Sequence, residues 1–309
     1  MKAVLFPGQG SQMVGMGSEL YKNFDLVKKV FKEADEKLGY KISEIILNGP
    51  DSELKLTMNT QPAILTISNS IFRLITEEYN IKIKNDAKYF AGHSLGEYSA
   101  LVSSNSLNFS DAVYLLHQRG KAMQEAVPEG EGSMLAVMGL QLEELKSYME
   151  EIKNEKGVCE IANDNSNSQI ILSGNTKSIN EISEILKKNK KKSIFLPVSA
   201  PFHCSLMLPA AQKMKNKINE VNFKNSSLEV ISNVTARPIK DSQEIKKLLV
   251  EQIISKVRWR ESVEYMIKNG VSEFIEIGPG KVLSGLIKRI SDKVSSKSIN
   301  TIEDIKNLK

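Results

Sequence analysis

One short pattern, Gly-His-Ser-Leu-Gly at residues 92–96, constrains the fold of this 309-residue chain more than any other feature. An apolar run at residues 89–91 precedes it, and a helical run follows from Glu97. A serine between two such glycines is typical of a sharp turn from strand to helix, where side chains at the glycine positions would clash with nearby backbone. The pattern therefore predicts an α/β sheet with Ser94 exposed at a strand end as a candidate nucleophile.

Strand and helix patterns alternate along much of the chain. Apolar strands are predicted at residues 3–6, 89–91, 228–232 and 273–277, the last of these as the final strand, and helices at residues 19–38, 61–79 and 206–221. This alternation favours a mostly parallel sheet covered by helices.

The pattern changes near residue 128, where a proline followed by two glutamates and two glycines interrupts the helical run. Residues 128–198 predict the order β-α-β-β-α-β, which is typical of a ferredoxin-like α+β fold. We therefore expect residues 128–198 to form an inserted subdomain, and residues 1–127 and 199–309 to form the larger α/β core.

Composition serves mainly to exclude classes of protein. With 26% charged residues, 41% hydrophobic residues and a net charge of +5, the chain is neither disordered nor membrane-spanning. The mild positive charge suits an acidic protein partner or anionic small molecules and does not require nucleic acid. Two cysteines, Cys159 and Cys204, are too few for a disulfide framework in a chain of this length, so a cytoplasmic protein is expected.

A serine nucleophile needs a base, and histidine is the usual one. The chain has three histidines. His93 adjoins Ser94 in the turn, where adjacent side chains diverge, and His117 lies off the apolar stripe of its predicted helix, which favours exposure. His203 lies in a loop just after a predicted strand, a common position for a catalytic base, and is therefore the favoured one. Three scattered histidines without carboxylates at ligand spacing predict no metal site.

Arg119 falls in register with the apolar face of its predicted helix, which directs its guanidinium into the protein. A buried guanidinium needs an anionic partner. Two partners remain open at this point: a structural Asp or Glu, and the carboxylate of a substrate.

Backbone N–H groups beside the serine are candidates for stabilising an oxyanion. The helix that follows the turn offers the N–H of Leu95. The glycine-rich stretch at residues 8–13 does not fit a dinucleotide fingerprint and the one at 278–282 lacks the P-loop spacing, so neither predicts a nucleotide site; the first can instead bring backbone amides close to a reacting oxygen. Cys204 is disfavoured as a nucleophile because it directly adjoins His203 and because buried free cysteines are common.

Five motifs together resemble the acyltransferase family of fatty-acid synthesis. They occur in family order at residues 6–12, 92–98, 118–120, 201–203 and 277–283. The resemblance covers essentially the whole chain and shows no departure at a catalytic position. It implies a hydrolase-like α/β core with a ferredoxin-like insert, and a ping-pong reaction through an acyl-serine.

The resemblance also assigns roles to residues of this chain. The backbone amides of Gln9 and Leu95 would hold the oxyanion. Arg119 would pair with a free substrate carboxylate, and the main-chain carbonyl of Gln252 would orient His203. Phe202 before the histidine, with Leu95 after the serine, is similar to malonyl-selective members.

The reaction that the resemblance implies moves a malonyl group from malonyl-CoA to the phosphopantetheine thiol of holo acyl carrier protein. Coenzyme A enters as part of the substrate, so no cofactor is expected, and the chain is expected to act as a cytoplasmic monomer without nucleic acid or membrane. A stand-alone acyltransferase of a polyketide assembly line has the same chemistry and stays open. A serine thioesterase is a further alternative, against which Arg119 argues because a neutral acyl chain needs no cation.

Overall fold

A computed structural model describes residues 1–152, 157–198 and 200–308. The strands of these residues are β1 (Lys2–Phe6), β2 (Ala87–Gly92), β3 (Gly132–Met138), β4 (Cys159–Ser166), β5 (Gln169–Asn175), β6 (Lys192–Phe195), β7 (Glu229–Ile231), β8 (Pro238–Ile239), β9 (Glu273–Ile277) and β10 (Ser295–Ile299). The α-helices are α1 (Ser18–Asn23), α2 (Asp25–Leu38), α3 (Ile42–Asn48), α4 (Asp51–Lys55), α5 (Thr57–Arg73), α6 (Ile83–Asp86), α7 (Gly96–Ser103), α8 (Phe109–Glu125), α9 (Leu142–Met149), α10 (Thr176–Lys188), α11 (Leu208–Glu220), α12 (Ser242–Glu251), α13 (Trp259–Lys268), α14 (Val282–Ile290) and α15 (Ile302–Lys306).

The larger sheet has six strands in the order β10-β9-β1-β2-β7-β8. All of its neighbouring strands run parallel except β7 and β8. Alternate residues of β1 enter two different hydrophobic clusters, Val4 and Phe6 on one face and Ala3 and Leu5 on the other. A parallel sheet buried on both faces explains why its central strands are continuous apolar runs, and it confirms the predicted α/β class.

The smaller sheet is antiparallel, has the order β4-β5-β3-β6, and is built from consecutive elements between residues 132 and 195. With α9 and α10 it has the predicted β-α-β-β-α-β order. The division of the chain into a core and an insert stays a prediction, and its boundary at residue 199 falls outside the described residues.

Strand β4 joins the smaller sheet to the larger layer. The N–H of Val257 donates to the carbonyl of Ala162 at 2.8 Å, and the N–H of Asp164 donates to the carbonyl of Val257 at 3.0 Å. Arg260 of α13 adds a salt bridge of 2.8 Å to the buried carboxylate of Asp164. These contacts fix β4 beside the carboxyl ends of the central parallel strands.

Two helix predictions and one strand prediction are wrong in detail. The helix expected over residues 19–38 is two helices, because Phe24 has extended backbone with φ −130° and ψ 122°. The helix expected over residues 61–79 begins four residues earlier, at Thr57, and changes to a π-helix over Leu74–Glu78. The strand at Glu273–Ile277 is not the final one, since β10 follows it at the sheet edge.

No helix within the described parts of the chain is both long and apolar enough to cross a membrane.

Candidate active site

Ser94 lies in a sharp turn between β2 and α7 and has a left-handed backbone with φ 53°. A Cβ at Gly92 would lie 1.9 Å from the carbonyl of Gly96, and a Cβ at Gly96 would lie 2.2 Å from the carbonyl oxygen of Phe6. Both glycines are therefore required by the close approach of backbone to backbone. The turn also lies at the carboxyl end of a central parallel strand, where α/β proteins place their ligand sites.

We expect Gly96→Ala to destabilise the protein by about 3 kcal/mol, the upper end for an overpacked site, because the clash is with backbone atoms that cannot rotate away. Gly285→Ala is the matched control. Gly285 lies in α14, and a Cβ added there would meet no atom within 4 Å, so alanine should stabilise the helix by up to about 1 kcal/mol. Thermal unfolding of both variants tests this, and equal melting temperatures would contradict the clash.

His203 and Ser94 lie within hydrogen-bonding distance of each other. The Ser94 hydroxyl is 2.8 Å from His203 Nε2, and His203 Nδ1 is 2.9 Å from the main-chain carbonyl of Gln252. A carbonyl only accepts, so Nδ1 carries the proton, and in a neutral ring Nε2 is then the acceptor for the serine hydroxyl. This is the tautomer that a general base needs.

The charge state of His203 favours the same arrangement. Burial, followed by the positive charge of Arg119, lowers the pKa of His203 to about 3. Because the pKa is lowered, the imidazole is neutral at pH 7 and over the several pH units below it. His203 can therefore accept the proton of Ser94 without first losing a proton of its own.

Arg119 is 1% exposed and has three hydrogen-bond acceptors, all neutral. Nη1 donates to Gln61 Oε1 at 2.8 Å, and Nη2 donates to Gln252 Oε1 at 2.9 Å and to Ser94 Oγ at 3.2 Å. Among the described residues Nε has no partner. Of the two partners that the sequence left open, a structural Asp or Glu is absent from these hydrogen bonds. The buried Glu97 acts on the guanidinium only at a distance and through the amide of Gln252, so no carboxylate among the described residues contacts the charge beside the serine.

A cavity of about 320 Å³ opens onto these groups. Its lining includes Ser94, Arg119 and His203, together with Gln9, Leu95, Met123 and Phe202. Within the described part of the chain, the backbone N–H groups of Gln9 and Leu95 have no hydrogen-bond acceptor. Two free N–H donors, a serine, a neutral histidine and a cation thus meet in one pocket, which suits acyl transfer from a substrate that carries a carboxylate.

The other two histidines have partners of their own. His93 Nε2 is 2.8 Å from Asn165 Oδ1 on β4. His117 was expected at the surface, but it is half-buried, with Nδ1 3.1 Å from the carbonyl of Met58. Cys204 is buried beside His203, and burial raises the pKa of its thiol to about 11, so it is not a ready thiolate. None of these three residues is therefore placed to replace His203 as the base or Ser94 as the nucleophile.

Three further residues complete the site and were not predicted. Gln61 of α5 supports Arg119, Asn233 accepts the backbone N–H of Ser94 at 2.7 Å, and Glu97 accepts from Gln252 at 2.8 Å. Asn233 follows β7 at the same sheet edge as Ser94, and this shared edge is the signal that could have identified it.

Within the described ranges, no group of three or more His, Cys, Asp or Glu side chains is placed to hold a metal ion.

Comparisons with known proteins agree with this geometry. Residues 4–306 match the family model described as an acyl transferase domain. Malonyl CoA-acyl carrier protein transacylase of Bacillus subtilis is 45% identical over 304 residues, which are 98% of this chain and 94% of that protein.

Solved structures are similar over the same length. The acyl-carrier-protein-S-malonyltransferase of Bartonella henselae has a TM-score of 0.96 and 42% identity, covering 99% of this chain and 98% of that one. A malonyl-transacylase in complex with its holo type II PKS acyl-carrier protein has a TM-score of 0.94 and 37% identity, covering 99% and 98% of the two chains.

Proposed function

The chain belongs to the acyl transferase domain family, and we propose that it transfers the malonyl group of malonyl-CoA to the phosphopantetheine thiol of acyl carrier protein. The observation that carries this proposal is Arg119, a buried cation with neutral partners 3.2 Å from the hydroxyl of Ser94. A carboxylate on the acyl group would neutralise that charge through charged hydrogen bonds. The names of the relatives, which specify malonyl transfer to acyl carrier protein, support the same substrate pair.

In the first half-reaction Ser94 Oγ attacks the thioester carbonyl carbon while its proton passes to His203 Nε2. The N–H groups of Gln9 and Leu95 hold the negative oxygen of the tetrahedral intermediate. The carbon–sulfur bond then breaks, and the coenzyme A sulfur takes the proton from His203. Malonyl-serine remains, with its free carboxylate paired to Arg119.

In the second half-reaction the phosphopantetheine thiol gives its proton to His203 Nε2 and attacks the malonyl-serine carbonyl. The ester bond breaks, and the proton returns from His203 to Ser94 Oγ. No group beyond these residues and the two substrates is required, so we propose a reaction without a cofactor. A neutral histidine is needed at the start of both steps, which its lowered pKa supplies.

Fatty-acid synthesis is the setting we favour over a polyketide assembly line. The five sequence motifs resemble the acyltransferase family of fatty-acid synthesis over essentially the whole chain, and the relative at 45% identity is named for transfer to acyl carrier protein. One chain supplies every residue of the proposed site, so the proposed reaction requires no second copy, and we propose a monomer. Both Cys159 and Cys204 are free, which fits a reducing compartment and hence the cytoplasm.

Intact-protein mass spectrometry after brief mixing with malonyl-CoA, acetyl-CoA or methylmalonyl-CoA tests the proposal. We expect a single malonyl adduct that holo acyl carrier protein discharges, with much slower formation of the other two adducts. Acetyl lacks the carboxylate for Arg119. Phe202 and Leu95, which line the cavity, are the residues that resemble malonyl-selective members of the family, so the methylmalonyl adduct is also expected to be disfavoured. Free coenzyme A without an adduct would instead support the thioesterase alternative, because hydrolysis would then outrun transfer.

A further inference from the structure

Glu97 is a fully buried carboxylate that contacts residues of the candidate site from the side facing away from the cavity. It is the second residue of α7 and is 0% exposed. It is absent from the residues that line the cavity at Ser94, so it does not touch a substrate there. One of its oxygens, Oε2, accepts from Gln252 Nε2 at 2.8 Å and from the backbone N–H of Asn233 at 3.0 Å.

The bond to Gln252 connects Glu97 to both the cation and the base. With Nε2 held by Glu97, the amide of Gln252 presents Oε1 to Arg119 Nη2 at 2.9 Å. The main-chain carbonyl of the same residue holds His203 Nδ1 at 2.9 Å. A reversed amide would place its NH₂ group against the guanidinium, and two donors would then face each other.

The bond to Asn233 connects Glu97 to the nucleophile. Asn233 Oδ1 accepts the backbone N–H of Ser94 at 2.7 Å, and its Nδ2 donates to the carbonyl of Gly92 at 2.7 Å. The side chain of Asn233 therefore holds the strained turn at Ser94, and Glu97 in turn holds the backbone of Asn233.

Given the proposed malonyl transfer, on which this inference rests, we propose that Glu97 is a positioning residue that fixes the Gln252 amide so that Arg119 is aimed at the substrate carboxylate. A contribution to protein stability alone does not explain why the carboxyl group of Glu97 is buried here. Its other oxygen, Oε1, has no partner among the described residues, and burying an incompletely paired carboxyl is costly. Burial raises its pKa to about 7, so the group lies in an environment that disfavours its charge.

Glu97→Leu and Glu97→Gln separate positioning from packing. Leucine has a similar volume but accepts no hydrogen bond, so Gln252 Nε2 keeps only its longer bond of 3.2 Å to the carbonyl of Ser94. The amide is then held less firmly, and its oxygen is a weaker acceptor for Arg119. We expect the ratio of kcat/KM for malonyl-CoA to that for acetyl-CoA to fall about 10-fold, the size of one lost hydrogen bond to a charged group. Glutamine keeps an acceptor oxygen toward Gln252, and we expect it to hold the ratio within about 3-fold of the wild type.

Leu101→Val on the same helix is the matched control. Leu101 is a fully buried core residue with an apolar side chain, so truncating that side chain should lower the melting temperature and leave the malonyl-to-acetyl ratio unchanged. Should Glu97→Leu yield no folded protein, Glu97→Asp replaces it, since the shorter side chain keeps the carboxylate but withdraws the acceptor from Gln252. The ratio is expected to fall in that variant too.

The outcomes distinguish the inference from the function on which it rests. The positioning role is supported if the malonyl-to-acetyl ratio falls in Glu97→Leu or Glu97→Asp but stays near the wild-type value in Glu97→Gln and Leu101→Val. An active wild type whose ratio is unchanged in the leucine and aspartate variants overturns the role of Glu97 and leaves malonyl transfer standing. A wild type that takes up no malonyl group overturns both.

Discussion

Ser94→Ala is expected to form no acyl-enzyme and to lose malonyl transfer by about 10⁴-fold or more, as when a nucleophile is removed from a unit that acts together. No neighbouring group can take its place. Cys204 adjoins His203 in the sequence, but it is buried, donates its S–H to the carbonyl of Pro201 at 3.1 Å, and has a pKa raised to about 11. Intact-protein mass spectrometry with malonyl-CoA measures the adduct directly.

Ser99→Ala is the control for that experiment. Ser99 is 2% exposed on α7, and its hydroxyl has no partner among the described residues. Its loss likewise removes a single hydroxyl oxygen, from the helix that follows the turn, and the adduct should form at the wild-type rate. An adduct that still forms on Ser94→Ala would exclude Ser94 as the nucleophile.

The turn at Ser94 could be predicted because its determinants are local. Two glycines, a preceding apolar strand and a following helix lie within a few residues of one another in the sequence. Gly92 is required by a contact within the turn, with Gly96, whereas Gly96 is required by the carbonyl of Phe6 on the neighbouring strand. The choice of His203 needed only that the chain has three histidines, two of them badly placed. Local patterns of this kind are readable without knowledge of the tertiary structure.

The surroundings of Arg119 could not be predicted in this way. Its register indicated burial, but its acceptors come from α5 and from the residue after α12, which are 58 and 133 positions away in the sequence. Burial suggested a charged partner, whereas the structure supplies two amide oxygens. Only the packing of distant helices determines which oxygen atoms reach a given guanidinium.

The missed strand β10 has a different cause. Its sequence, Ser-Ser-Lys-Ser-Ile, is almost wholly polar and gives no apolar alternation. It lies at the edge of the larger sheet, paired only with β9, where polar side chains can face water. Hydrophobic periodicity detects central strands such as β1 and overlooks an edge strand of this composition.

Arg119→Ala is expected to reduce kcat/KM for malonyl-CoA by about 10- to 100-fold, the effect of losing roughly 1.5–3 kcal/mol from a charged hydrogen-bonded pair. Acetyl-CoA has no carboxylate to lose, so its kcat/KM should change far less and the preference for malonyl should shrink. The base should remain competent: without Arg119 one cause of the low pKa of His203 disappears, but burial, the larger cause, still favours the neutral ring. Steady-state kinetics with both thioesters measures the two effects together.

Arg119→Lys distinguishes charge from geometry in the same assay. Lysine keeps a positive charge but not the planar fork that reaches both Gln61 and Gln252, so it should restore only part of the malonyl preference. If the malonyl-to-acetyl ratio were unchanged in Arg119→Ala, the guanidinium could not be the partner of the substrate carboxylate. Its positive charge would then act mainly on His203, and the loss of activity would be equal for the two substrates.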